Sequence, residues 1–128
     1  MKQENVGIII VDHGSRRKES NELLLQFVEL FRNASPFKII EPAHMEIATP
    51  TIANALAACV SQGADRIVVH PYFLLPGNHW KHDIPALVAE AVADFSNLRY
   101  AITEPLGLHP LLAEIVRQRI DDCLGKAF

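Results

Sequence analysis

Four short apolar runs alternate along the chain with four stretches in which apolar residues recur every three to four positions. Residues 6–11 (Val-Gly-Ile-Ile-Ile-Val) are nearly all β-branched, the pattern of a strand covered on both faces. Ser20 is placed to cap a first helix that carries Leu23, Leu24, Phe27, Val28 and Phe31 on one face. Residues 37–41 predict a second strand, continued irregularly through Pro42, Ala43, His44, Met45 and Glu46. Thr49 is the expected cap of helix two, with Pro50 in its first position and Gly63 as its stop. Residues 67–70 form strand three. Helix three, capped by Asp83 with Pro85 in its first turn, carries Ile84, Leu87, Val88, Ala91, Val92 and Phe95. Residues 98–102 form strand four, and the last helix carries Leu111, Leu112, Ile115, Val116 and Ile120.

This βαβαβαβα order implies an α/β fold: a four-stranded parallel sheet flanked by helices and joined by right-handed crossovers. With 128 residues, one domain over positions 1–128 is expected, long enough to bury a core. The apolar share of 49% and the charged share of 21% are those of an ordinary globule. A net charge of -3 gives no reason to expect nucleic acid or an anionic membrane as partner. The apolar runs are also too short to span a bilayer. Residues 1–5 lead straight into a strand, which leaves no room for a signal or transit peptide. Cys59 and Cys123 fall in predicted helices, far apart and outside any C-x-x-C pair. They read as reduced core thiols of a cytoplasmic protein.

The polar residues collect beyond the carboxyl ends of the strands, where open parallel sheets bind ligands. After strand one comes Asp12-His13-Gly14-Ser15-Arg16-Arg17. Gly14 permits a tight turn, and a loop feeding a helix N-terminus favours anions, with Arg16 adding positive charge. Taken alone, the charge run fits a solvated turn as well. It lacks the Gly-Lys-Ser/Thr ending of a Walker loop. After strand three, the stretch 69–85 passes two prolines and a glycine before the helix expected from Asp83, so that Asn78, His79 and Trp80 are expected on a loop. In a doubly wound sheet, loops one and three are neighbours, so His13 and His79 can overhang one cleft. Neutral imidazole ligates divalent first-row ions and accepts protons near neutral pH. Two ligands are too few for a closed structural site, so a metal held there is expected to exchange.

Glu46 follows strand two, where a carboxylate can assist metal delivery or proton removal, or stand as a plain surface acid. His44 and His70 read as packing or hydrogen-bonding residues. His82 lies three residues beyond His79 and pairs with it only if the helix begins before His79, while His109 borders the start of the last helix. Phe73, Leu74, Leu75, Pro76, Gly77 and Asn78 form the non-ionic part of the site: apolar cover for a flat ring system, with backbone and amide donors at its end. The leucines equally suit a core.

In combination, these motifs resemble the short, single-domain class II chelatases that put a divalent metal into sirohydrochlorin. Residues 11–16, 41–46, 71–79 with 83–85, and 105–110 carry the resemblance over nearly the whole chain. Similarity is greatest to the plant-type sirohydrochlorin ferrochelatases. The resemblance implies His13 as proton acceptor and metal ligand and His79 as second ligand. It also associates Glu46 and the 73–78 loop with the tetrapyrrole. It further implies a homodimer, no redox cofactor, and Fe2+ as the inserted ion, with Co2+ or Ni2+ as alternatives. Plant-type relatives continue past the last helix with cysteines for an iron–sulfur cluster; this chain does not, so no cluster is expected. Rival readings from the residues alone are a small phosphate-binding α/β hydrolase and a non-catalytic tetrapyrrole or metal carrier.

Overall fold

The computed structural model describes residues 5–74 and 77–127, with backbone alone at positions 78–80. Its elements are β1 (Val6–Asp12), α1 (Lys18–Ala34), β2 (Ile39–His44), α2 (Ile52–Ser61), β3 (Arg66–Pro71), α3 (Asn78–Val92), β4 (Arg99–Ile102) and α4 (Pro110–Ala127). The strands form one parallel sheet in the order β2-β1-β3-β4, the α/β architecture expected from the apolar pattern.

β1 is central, and its side chains alternate between two cores. Ile9 and Val11 join Leu56, Ile67, Val69, Ile84 and Val88 under α2 and α3. Val6, Ile8 and Ile10 join Leu24, Val28 and Ile40 under α1. A continuous apolar strand is the sequence consequence of covering both faces. A Cβ at Gly7 would lie 2.8 Å from the Cys59 Cβ, so the missing side chain lets α2 settle directly on β1.

Several boundaries differ from expectation, each for a local reason. β2 runs unbroken to His44 because it is an edge strand, where Pro42 loses no ladder partner on its outer side. α1 begins at Lys18, two residues before Ser20. The cap of α2 is Thr51, not Thr49: its hydroxyl accepts the Asn54 N–H at 3.1 Å, and the Asn54 side chain accepts the Thr51 N–H at 2.9 Å. The reciprocal pair satisfies two orphan donors, which Thr49 cannot do from outside the turn. Gly63 does end the helix. With φ of +101°, it lets its own N–H reach Val60 and that of Ala64 reach Cys59, closing a Schellman motif.

α3 departs furthest from the sequence reading. It begins at Asn78, with Gly77 at the cap, and continues through Pro85. Asp83 is therefore internal, and Asn78, His79 and Trp80 form the first turn rather than a loop. Proline here removes one helical hydrogen bond to the Lys81 carbonyl, a loss the flanking buried Ile84 and Val88 offset by packing. α4 carries the expected apolar residues, but none of its side chains is buried. Cys59 is buried, whereas Cys123 is exposed on α4 and is not a core thiol. Among the described residues, no helix is long and apolar enough to cross a membrane.

Candidate active site

Because β1 lies between β2 and β3, the loops leaving these three strands are forced together at one end of the sheet. Backbone bonds join them. The Tyr72 N–H donates to the Val11 carbonyl at 2.7 Å, the Met45 N–H to Asp12 at 2.8 Å, and the Glu46 N–H to His13 at 3.1 Å. His13 and Glu46 are thus held side by side through the main chain, and both are exposed.

Beneath them lies a polar brace. Asp12 and His44 are register partners at the ends of β1 and β2. The Asp12 Oδ1 lies 2.6 Å from His44 Nδ1 and also accepts the Gly14 N–H at 3.0 Å. A carboxylate only accepts, so His44 Nδ1 carries the proton. His44 is 1% exposed, the one buried polar residue among those described. Gly14 adopts φ of +87°, and a Cβ built on it would sit 1.9 Å from the Glu46 carbonyl oxygen. No other residue fits between these loops. This Asp12–His44 pairing escapes sequence reasoning, although one signal was present: both residues close their strands at equivalent positions.

The loop from β3 supplies the next contact. The His13 ring stacks on Phe73, with centroids 4.0 Å apart and planes 12° from parallel. Phe73 is buried, so its ring serves as a fixed floor that sets the imidazole plane. The Leu106 N–H donates to the Phe73 carbonyl at 3.0 Å, which ties in the loop from β4. Leu74 is 58% exposed beside this stack, and Gly77 is exposed at the cap of α3. Leu75 and Pro76 lie outside the described residues, as do the side chains of Asn78 and His79. The backbone nevertheless places His79 and His82 three residues apart in one helix, the condition under which the two were expected to pair.

Arg16 is exposed immediately ahead of α1. The turn that presents it is braced by Asn21, whose side chain accepts the Ser15 N–H at 2.9 Å and donates to the Ser15 carbonyl at 2.8 Å. No side chain caps α1 at Arg17, so its first N–H groups and Arg16 together favour an anion. Of the other histidines, His70 donates from Nδ1 to Thr103 Oγ1 at 2.7 Å, the hydroxyl proton being committed to the Glu104 carbonyl. His109 accepts the Leu111 N–H at 3.1 Å and so acts at the head of α4. Burial lowers the His70 pKa. Burial, aided by Glu41, pushes the Cys59 thiol up to about 12, which removes it as a thiolate ligand. No group of three or more His, Cys, Asp or Glu residues that could hold a metal ion occurs among the described residues.

Comparison with known proteins places this arrangement in context. The CbiX family model matches residues 7–123. Over 119 residues the chain is 56% identical to the chloroplastic sirohydrochlorin ferrochelatase of Arabidopsis thaliana, covering 93% of this chain and 53% of that protein. A sirohydrochlorin cobaltochelatase from Sulfurisphaera tokodaii is 32% identical, with 92% and 93% covered. The sirohydrochlorin chelatase SirB from Bacillus subtilis subspecies spizizenii, solved with cobalt, superposes with a TM-score of 0.86 at 33% identity, over 92% of this chain and 50% of that one. The chain thus spans about half the length of some relatives and nearly all of others. On the extent of these matches and the shared fold, the chain belongs to the CbiX family.

Proposed function

We propose that this protein inserts a divalent metal, Fe2+ foremost, into sirohydrochlorin. The observation that carries this reading is the 56% identity to a plant ferrochelatase across 93% of the chain. The geometry supports it. Insertion replaces two pyrrole N–H protons with one M2+, so it needs a metal carrier, a proton acceptor and a flat apolar seat. His13, held on Phe73, is the first metal ligand and a proton acceptor, and His79 is the second ligand. Glu46, fixed next to His13 by its backbone N–H, takes or relays a proton. Phe73, Leu74, Leu75, Pro76, Gly77 and Asn78 seat the ring, while Arg16 meets a peripheral carboxylate. The metal ion is a substrate, and we assign the protein no resident cofactor.

Cobalt is the second reading, because family members include cobaltochelatases and SirB has been solved with cobalt. A homodimer is part of the proposal. The separated, unpaired cysteines suit a reducing compartment such as the cytoplasm.

The test mixes protein, sirohydrochlorin and each of Fe2+, Co2+ and Ni2+ without oxygen and follows the absorbance change against the uncatalysed rate. Wild type should accelerate Fe2+ insertion most. His13→Ala and His79→Ala should each lower the rate by about a hundredfold or more, the usual share of a positioned acid–base group. Glu46→Gln should slow turnover while leaving metal binding intact. Hydrolysis of an aryl phosphate without metal insertion would instead favour a phosphate-binding enzyme.

A further inference from the structure

The loop that carries Glu46 holds one residue in a conformation its side chain opposes. Ile47 has φ of +75° and is β-branched, the class of residue for which a left-handed backbone is a true outlier. The Ala48 N–H donates to the Glu46 carbonyl at 2.8 Å. A bond that spans two residues at this φ is the rare form of γ-turn, strained for an L side chain. Asn97, at +63°, is the one other non-glycine with positive φ among the described residues, and asparagine tolerates that region. Isoleucine is not suited to it.

Strain of this kind persists only where the surroundings fix it, and here they do. The His44 N–H donates to the Pro50 carbonyl at 2.8 Å and closes the loop at its base, while the Glu46 N–H is held by the His13 carbonyl at 3.1 Å. Met45 is buried in the core at the near end, and Thr51 caps α2 at the far end. The Ile47 side chain itself gains little packing from its own chain, being 62% exposed. Glycine would relieve the turn, and so exposed a position has little apolar contact to lose. An apolar, β-branched side chain kept there implies a contact outside the folded chain.

The sheet order β2-β1-β3 sets Glu46 and Ile47 on one flank of His13, and Phe73 and Leu74 on the other. Leu74 is 58% exposed. The strands from which these two loops leave are two spacings apart, about 10 Å, the scale of a tetrapyrrole ring. We infer that Ile47 is an apolar seat for the macrocycle, facing Leu74 across His13, so that a flat ring rests on both. The inference rests on the function proposed above and adds a substrate-binding residue to it. The strained turn has a role in this arrangement. A seat already fixed in the free protein loses no backbone freedom when the ring arrives, whereas a relaxed loop would have to be ordered on binding.

The test compares the full wild-type chain with Ile47→Asn and Ile47→Leu. Metal-free sirohydrochlorin is titrated into each protein, and bound ring is separated from free by equilibrium dialysis. Ile47→Asn should weaken binding by about tenfold, the loss of one apolar side chain's burial. The thermal midpoint of the ligand-free variant should stay level or rise, because asparagine tolerates the turn. A residue that only supported the fold would lower midpoint and affinity together. Ile47→Leu, apolar but not β-branched, should recover most of the lost affinity. During metal insertion, the Ile47→Asn defect should appear in KM more than in kcat. Unchanged affinity in Ile47→Asn, a midpoint that falls with the affinity, or no recovery in Ile47→Leu would overturn the inference. Unchanged affinity beside full metal insertion by the wild type defeats the role of Ile47 alone. Weakened ring binding in Ile47→Asn, beside a wild type that inserts no metal, defeats the functional reading alone.

Discussion

At Gly14, two loops approach so closely that a single methyl group decides whether the site exists. The Cβ clash is with a backbone oxygen, which has no rotamer to retreat into, and φ of +87° adds strain for any L side chain. Gly63 shares the positive φ, at +101°, but has no atom within 4 Å of its added Cβ. Comparing the two separates conformational strain from contact. Gly63→Ala should cost about 1 kcal/mol in urea unfolding and leave metal insertion unchanged. Gly14→Ala should cost about 1–3 kcal/mol and also lower the insertion rate by tenfold or more. Equal rates in the two variants would separate the His13–Glu46 contact from turnover. The glycine was legible in the sequence as a turn. What it makes room for was not, because the Glu46 carbonyl comes from a different strand. The same holds for the stack of His13 on Phe73, which depends on how far the third loop folds back. Local patterns name residue types near a strand end, whereas contacts between loops are fixed by sheet order.

At the scale of elements, the errors of the sequence reading cluster where two local signals compete. Proline at 85 and aspartate at 83 argued for a helix start, and tertiary packing of Ile84 and Val88 carried the helix seven residues past Asn78 to Pro85 and beyond. The two threonines before α2 offered two caps, and only the one with a reciprocal asparagine three residues on was used. Strand identities survived because alternate-face burial leaves little freedom of register. The β3–β4 pair adds a titratable latch, His70 to Thr103 at 2.7 Å. Burial holds the His70 pKa below its ordinary 6.5. As pH falls below that value, the unfolded chain takes up a proton that the folded one refuses, so stability is full above it and declines as pH drops. The thermal midpoint should therefore fall between about pH 7.5 and about pH 5.5, and His70→Asn should shrink that fall. An identical pH dependence in the variant would assign the effect to other groups.

For the molecule as a whole, the core is built without the last helix. α1, α2 and α3 with the sheet bury the large apolar residues, and α4 buries none. The sequence showed α4 as an apolar-faced helix but could not show that its face looks outward, since periodicity reports amphipathicity and not the partner. In the homodimer proposed above, folding stability depends on protein concentration by mass action. Each tenfold rise in concentration favours the dimer by about 1.4 kcal/mol, half of it per chain. For a domain of this size, that moves the thermal midpoint by about 2–4 °C. Scanning calorimetry across two decades of concentration should show this rise in the wild type. Ile120→Glu, on the exposed apolar side of α4, should flatten it while leaving the low-concentration midpoint near that of the wild type, since Ile120 is half exposed on a helix that buries no side chain. A midpoint independent of concentration in the wild type would remove the homodimer from the proposal.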